Sequence, residues 1–382
     1  MYNIKMSKRF VFTIITLVAI AISATIAIFL AKGYRFSPQE KRIVGTGIIT
    51  ISSEPDAASV FLDNHLTTAT NTTIASLTPK DYTVKVVKEG FIPWEKQISV
   101  KEGLVTEVKV TLFPAIPTIY PLTYNGVESP TLSPDGGKLA YIVAGKAGQT
   151  ASAGKKAGIW VWTQTRNQPI SFARSAEPHQ IAQSTVTDFS KATLVWSADS
   201  KQVLATAGGN NYLLEADRLN TDPRDITPLL SATLKSWEED TRSKDQTRIL
   251  AIKNARVRQI ASGSAVLKWS PDETKFMFGK DEKDLKVVNL EDSERSFSAG
   301  KEYVLPSAQS HIWLPDSRHI ILISEGTISV VDFDGTNKAV IYAGEFKDDF
   351  VFPWLDSSRL VIISSFPTPT ASEPNLYGIN LK

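Results

Sequence analysis

Five aspartates stand at one recurring place in this chain: Asp135, Asp199, Asp272, Asp316 and Asp356, each in a tight turn between apolar runs. Carboxylates brought together could act as general acid and base, or hold a divalent cation. One aspartate per repeat, always in the turn, instead suits a side chain that bonds its own backbone, with the five set apart and pointing alike. The four histidines, His65, His179, His311 and His319, show no metal-ligand spacing on a helix; His311 and His319 flank one turn. No Gly-x-Ser-x-Gly elbow occurs, so a hydrolase lacks its nucleophile signature. Gly148 through Lys156 (GQTASAGKK) comes near a phosphate loop, but its spacing is one residue too long. Lys156 also stands where Ser or Thr would ligate magnesium. Asp332-Phe333-Asp334-Gly335 reads either as a calcium site or as a hairpin turn, and the turn is the simpler account. Trp160 and Trp162 share one face of a strand, where they could stack on a sugar ring or pack between neighbouring units. No residue is therefore assigned a catalytic, cofactor-binding or metal role, no cofactor is expected, and the chain is not expected to be an enzyme.

The elements that position these residues begin with an apolar segment. Residues 10–31 (FVFTIITLVAIAISATIAIFLA) carry no charge. As a helix rising about 1.5 Å per residue they would cover roughly 33 Å, enough for a bilayer core of about 30 Å. The flanking charges nearly tie, with Lys5, Lys8 and Arg9 before the segment and Lys32, Arg35, Lys41 and Arg42 after it. A short head at 1–9 and a long remainder favour a single-pass anchor in the cell membrane, with the bulk outside the cytoplasm. A cleaved signal peptide is the alternative, since Ala19-Ile20-Ala21 fits a small-x-small site, although the apolar run continues ten residues past it. Residues 32–46 read as a polar stalk. With no cysteine, the outer part has no disulfides, thiolate metal sites or cysteine-borne lipid, and holds together by burial alone. Formal net charge is only +2, without the basic stripe that a nucleic-acid partner would need.

Residues 47–113 alternate with period two. Ile49 and Ile51 interleave with Thr50 and Ser52, and Tyr82, Val84 and Val86 with Thr83 and Lys85. That pattern predicts a small antiparallel β-sandwich. Ser53-Glu54-Pro55-Asp56-Ala57, Val60-Phe61-Leu62-Asp63, Leu77-Thr78-Pro79, Lys88-Glu89-Gly90-Phe91 and Trp94 resemble a PEGA domain. The resemblance implies a surface location and scaffolding rather than catalysis. Asp56-Ala57 replaces the Glu-Gly of the signature, Asn64 stands where Gly is usual, and Lys80-Asp81 replaces the Gly after Pro79. Phe91 and Trp94 read as core anchors, with a ligand platform as the other reading.

Residues 114–382 contain a repeat: Leu132-Ser133-Pro134-Asp135-Gly136, Trp196-Ser197-Ala198-Asp199-Ser200, Trp269-Ser270-Pro271-Asp272-Glu273, Trp313-Leu314-Pro315-Asp316-Ser317 and Trp354-Leu355-Asp356-Ser357. Each copy is a strand end, a turn and a second strand, and a third strand follows. This is the order of a β-propeller blade, and the motif resembles the TolB-like group of propellers related to WD-type repeats. The last blade has only three strands before Lys382, so Thr118–Leu122 is predicted to supply its outermost strand and close the ring. About five blades are expected; a sixth would need part of residues 228–262. That segment lengthens the motif spacing to 73 residues between Trp196 and Trp269, against 44 between Trp269 and Trp313. Leu230, Leu234 and Trp237 at i, i+4 and i+7 predict a helical insertion there, as a partner surface or a structural lid.

The fold class is thus mainly β: a transmembrane helix, a PEGA-like sandwich and a propeller with a helical insertion. The function expected is non-catalytic binding or scaffolding at the envelope, with the membrane as one partner through residues 10–31 and a protein or cell-wall component as the other. No nucleic acid is expected. An envelope-glycan binder is the alternative, and a propeller hydrolase the next.

Overall fold

The computed structural model describes residues 8–31, 34–37, 42–145, 156–164, 178–185, 187–291, 301–366 and 373–382. Most of the head at 1–9, and Gly148–Gly154 with Lys155 of the near phosphate loop, lie outside the described residues. The chain divides into two compact units, Met1–Ala115 and Ile116–Lys382.

The first unit opens with helix α1 (Lys8–Ala31). Its apolar stretch Phe12–Phe29 has a mean hydropathy of 2.5, and none of it is covered by the protein. The segment read as a bare stalk contains a hairpin instead: β1 (Tyr34–Ser37) pairs antiparallel with β2 (Arg42–Gly45). Tyr-Arg-Phe-Ser and Arg-Ile-Val-Gly are too short and too charged to show a clean alternation, and that hid them.

Seven strands follow: β3 (Gly47–Glu54), β4 (Ser59–Leu62), β5 (His65–Ala69), β6 (Thr72–Leu77), β7 (Asp81–Val87), β8 (Trp94–Ser99) and β9 (Val105–Thr111). They form a three-stranded sheet ordered β6-β3-β9 and a four-stranded sheet ordered β5-β4-β7-β8. Between the sheets lie Ile49, Ile51, Val60, Val84, Val86, Val108 and Val110. Burying each such side chain contributes about 1.5–3 kcal/mol, which is how a cysteine-free domain of this size is held. Trp94 is buried in that core and Phe91 packs against it, so both are anchors. One expectation fails: the sandwich is not wholly antiparallel. The first and last strands, β3 and β9, run parallel in register from Ile48 opposite Val105 to Glu54 opposite Thr111. Alternation reports which face is buried and is blind to strand direction. Ala57 and Asn64, two of the residues standing in for glycine, take φ of 54° and 65° and so adopt the left-handed geometry.

The second unit begins with β10 (Ile119–Pro121), then blade I: β11 (Glu128–Leu132), β12 (Lys138–Val143), β13 (Gly158–Thr163) and β14 (His179–Gln183). Blade II is β15 (Thr193–Trp196), β16 (Gln202–Ala207), β17 (Asn210–Glu215) and β18 (Arg224–Asp225). The insertion is helical, comprising α2 (Leu230–Ala251) and α3 (Ala255–Gly263), so it adds no sixth blade. Asn254 caps α3, its side chain accepting from Arg256 N and Val257 N. Blade III is β19 (Val266–Trp269), β20 (Lys275–Gly279), β21 (Lys286–Asn289) and β22 (Glu302–Val304). Blade IV is β23 (Ser310–Trp313), β24 (His319–Ser324), β25 (Thr327–Asp332) and β26 (Ala339–Ala343). Blade V is β27 (Val351–Pro353), β28 (Arg359–Ser364) and β29 (Asn375–Asn380), with β10 as its outermost strand.

The ring therefore closes as expected. Ile119 pairs with Ile379, Tyr120 with Gly378 and Pro121 with Tyr377. Asn375 reinforces the seam, its side chain accepting from Thr123 Oγ1 and from Gly126 N, both at 3.1 Å. Second strands are apolar almost throughout, as in Leu139-Ala140-Tyr141-Ile142-Val143, because each blade is covered on both faces. Ala140, Ile142 and Val161 of blade I pack on Trp196, Val203 and Leu214 of blade II. Leu139, Tyr141 and Trp162 face Phe352, Val361 and Ile363 of blade V.

Candidate functional site

The turns that carry the repeat meet at one end of the ring. Pro134 of blade I, Pro271 of blade III, Pro315 of blade IV and Pro353 of blade V line a common cavity of about 540 Å³. Trp269 and Trp313, at the ends of the innermost strands, form part of its wall, and Asp245 and Arg248 of α2 border it. The turns thus converge, which the repeat alone does not reveal, while their aspartates do not act together. Each carboxylate Oδ1 accepts the backbone N–H two residues on. The donors are Gly137 at 2.9 Å, Lys201 at 3.1 Å, Thr274 at 3.0 Å, Arg318 at 2.9 Å and Ser358 at 2.8 Å. In blades I to III a serine two residues back adds its hydroxyl, from Ser133, Ser197 and Ser270. Burial would raise the carboxyl of Asp135. The Ser133 hydroxyl, the Gly137 N–H and the nearby Lys138 outweigh it and hold the group below the usual carboxylate range. These five are turn residues.

Neighbouring turns are also stitched together. Ser200 Oγ accepts from Asp135 N at 3.2 Å, and Ser317 Oγ accepts from Asp272 N at 3.0 Å. Both serines have positive φ, 60° and 58°, at the position that Gly136 fills in blade I. Glycine there would relax the backbone and lose the stitch.

The histidines are dispersed. His65 Nδ1 lies 2.8 Å from its neighbour Asp63 O, and His179 Nε2 lies 3.0 Å from Ala216 O. His311 is fully buried, with Nδ1 2.9 Å from Glu282 O and Nε2 3.0 Å from Pro306 O, so it ties blade IV to the preceding blade. His319 Nδ1 sits 2.6 Å from Asp316 Oδ2, and its Nε2 lies 3.5 Å from Asp332 Oδ1. Burial pushes Asp316 up, but the hydrogen bond and charge of His319 and the Arg318 N–H overcome it, setting the carboxyl at about 2. Asp334 accepts from Thr336 Oγ1 at 2.6 Å within its own turn. Among the described residues no three His, Asp or Glu side chains gather as a metal site.

The paired tryptophans do not form an open sugar platform. Trp162 is buried against blade V, edge-on to Trp354 at 5.2 Å and 80°. Trp160 packs on the same cluster and donates Nε1 to Lys156 O at 2.9 Å. The glycan alternative loses its structural support.

The helical insertion is the element least like the rest. α2 has no buried residue over its 22 positions. It bridges two turns at the cavity end: Lys244 Nζ donates to Ala198 O of blade II at 3.0 Å, and Arg248 pairs with Glu273 of blade III at 2.7 Å. Its C-terminal end and α3 are better seated, with Ile252, Val257 and Ala261 buried against Phe276 and Val288 of blade III. The apolar spacing at Leu230, Leu234 and Trp237 announced the helix; nothing in the sequence announced that Arg248 would reach the cavity.

A family model described as PEGA domain matches residues 46–116. Residues 46–116 are a PEGA domain. No curated protein matches the sequence of this chain. The structural neighbours are TolB-like and other β-propellers. The TolB structure from Agrobacterium tumefaciens is 18% identical over 64% of this chain and 76% of its own, with a TM-score of 0.23. An oligogalacturonate lyase in complex with manganese is 11% identical over 78% of this chain and 74% of its own, with a TM-score of 0.23. The AfRom2 CNH domain is 8% identical over 69% of this chain and 100% of its own, with a TM-score of 0.33. The propeller assignment rests on the pairing of the chain's own strands.

Proposed function

We propose that this is a membrane-anchored envelope protein whose PEGA domain and propeller bind or scaffold a protein or cell-wall partner outside the cytoplasm, without catalysis. The observation that carries the reading is α1. Eighteen consecutive residues, Phe12–Phe29, have a mean hydropathy of 2.5 and no protein surface to cover them. A bilayer is the environment that removes such a surface from water. The apolar run continues ten residues past Ala19-Ile20-Ala21, which favours a retained anchor over a cleaved signal peptide.

The binding role is supported at the turn end of the ring. There the cavity is walled by prolines and indoles, and α2 offers an exposed surface beside it. The acidic and imidazole groups that could do chemistry are engaged by backbone atoms or by each other, as befits a structural role. Affinity rather than turnover is the expected activity. Crosslinking in intact cells tests it: a defined partner should be captured by the wild-type chain and lost by a form carrying Leu234→Asp and Leu250→Asp, both exposed on α2. Equal capture by both forms would contradict the assignment to the insertion end.

A further inference from the structure

Arg248 is held in a cup that does not belong to its own helix. Its Nε and Nη2 both donate to Glu273 Oε1, at 2.9 and 2.7 Å. The guanidinium lies 5.9 Å from the ring centroid of Trp269, whose indole also walls the cavity. Glu273 and Trp269 come from blade III, so an acid and an aromatic face converge on one cation beside a cavity of about 540 Å³. The helix that delivers this cation is held loosely. None of its residues is buried. Ahead of Arg248 the helix is tied to the ring by the Lys244 bond to Ala198 O, whereas after it Ile249 packs against the blade III cluster. Arg248 also pairs with Asp245 of its own helix at 3.2 Å, and its side chain is 33% exposed. Exposed ion pairs contribute little to stability, so the Arg248 side chain and the part of α2 ahead of it can leave the ring at small cost while Ile249 stays packed. α3 stays behind, anchored by Val257 and Ala261.

We propose that Arg248 is a tethered stand-in for a basic side chain of a partner. When Arg248 and the part of α2 ahead of it lift, an arginine-bearing peptide segment of another protein takes the Glu273–Trp269 cup, with its flanking apolar residues against Pro271 and Trp313. This rests on the binding role given above and names the chemistry of the partner. The bound state needs an acid and an indole face at one point, and the resting state shows that these two groups accept a guanidinium.

The test uses the full chain in detergent and a synthetic peptide copying residues 241–253, TRSKDQTRILAIK. The peptide is titrated against wild type, Arg248→Ala, and Arg248→Ala with Glu273→Gln. Arg248→Ala should bind it at least tenfold more tightly than wild type, whose cup is filled. Binding should fall back by a similar factor in the double variant, or when the peptide carries Ala in place of its second arginine. Hydrogen exchange across α2 should quicken in Arg248→Ala, with blade IV unchanged as the control for folding. Equal affinity for wild type and Arg248→Ala, or binding that ignores Glu273 and the peptide arginine, would overturn the proposal. Loss of partner capture in cells with the peptide result intact would count against the envelope role and leave the cup standing.

Discussion

The indole Nε1 of Trp313 donates to Lys268 O of the preceding blade at 3.0 Å. Trp196 does the same to Thr131 O across the blade I–blade II junction, again at 3.0 Å. Trp269 holds the equivalent place in blade III, yet its Nε1 is buried and finds no acceptor among the described residues. The reason lies in what covers it. The blade III residues Phe276 and Val288 match the blade IV residues Ile320 and Val331, which face the preceding blade. In blade III that face packs on Ile252, Val257 and Ala261 of the insertion. α3 therefore takes the packing role that the preceding blade fills for blades II and IV, and the indole bond made at those two junctions is not made by Trp269.

This difference predicts unequal costs for one substitution. Trp313→Phe removes a hydrogen bond between blades, so it should destabilise by about 0.5–1.5 kcal/mol more than Trp269→Phe, which removes only an orphan N–H. Urea midpoints of the two variants check this.

Closure of the ring can be probed at Gly378. A Cβ there would stand 2.7 Å from Tyr120 Cζ, because the Tyr120 ring lies against the glycine, with the Arg359 guanidinium 5.8 Å from that ring's centroid. Gly378→Ala should cost about 1–3 kcal/mol by overpacking. In a Tyr120→Ala background the same change should be nearly neutral. A double-mutant cycle on denaturation midpoints measures the coupling between the two ends of the propeller.

Acid sensitivity should map to blade IV. Asp316 is held at about 2 in the folded protein, below the value of about 3.9 of an unfolded aspartate. A lowered carboxyl contributes stability above the unfolded value and loses it as pH falls towards the folded one. The contribution, about 2 kcal/mol, should be whole above pH ~4 and fade between pH ~4 and ~2. Asp316→Asn should be the less stable protein at pH 6, with the gap to wild type narrowing by pH 2.5, as followed by urea denaturation.

In the PEGA domain, Ala57 occupies φ of 54° at the signature's glycine position and is exposed. A side chain in the left-handed region costs about 1–2 kcal/mol relative to its usual backbone. Ala57→Gly should raise stability by about 1 kcal/mol, offset partly by the greater entropy of the unfolded glycine, and thermal denaturation reads the result.

Much of this architecture was legible because it rests on local signals. The Ser-Pro-Asp turns mark blade after blade, and the unassigned run at Thr118–Leu122 had to pair with the one blade left short. What escaped is set by distance in sequence. Alternation in β3 and β9 showed their buried faces but not that they lie side by side in parallel. The turn prolines converge only once the ring is built, and the partnership of Arg248 with Glu273 and Trp269 depends on where a long helix comes to rest. The indole pair lent support to the glycan reading for a related reason: two indoles on one strand face look alike whether that face meets solvent or another blade.

The absence of cysteine makes one measurement of the proposed tethering and external display unusually clean. Leu66→Cys in the PEGA domain and Val340→Cys in the propeller place single thiols at positions 66% and 50% exposed. In spheroplasts treated with a membrane-impermeant maleimide, both should be labelled without permeabilisation, on a full-length chain that stays in the membrane pellet through alkaline carbonate extraction. Labelling only after the cells are opened, or recovery of a shortened chain in the soluble fraction, would contradict the account.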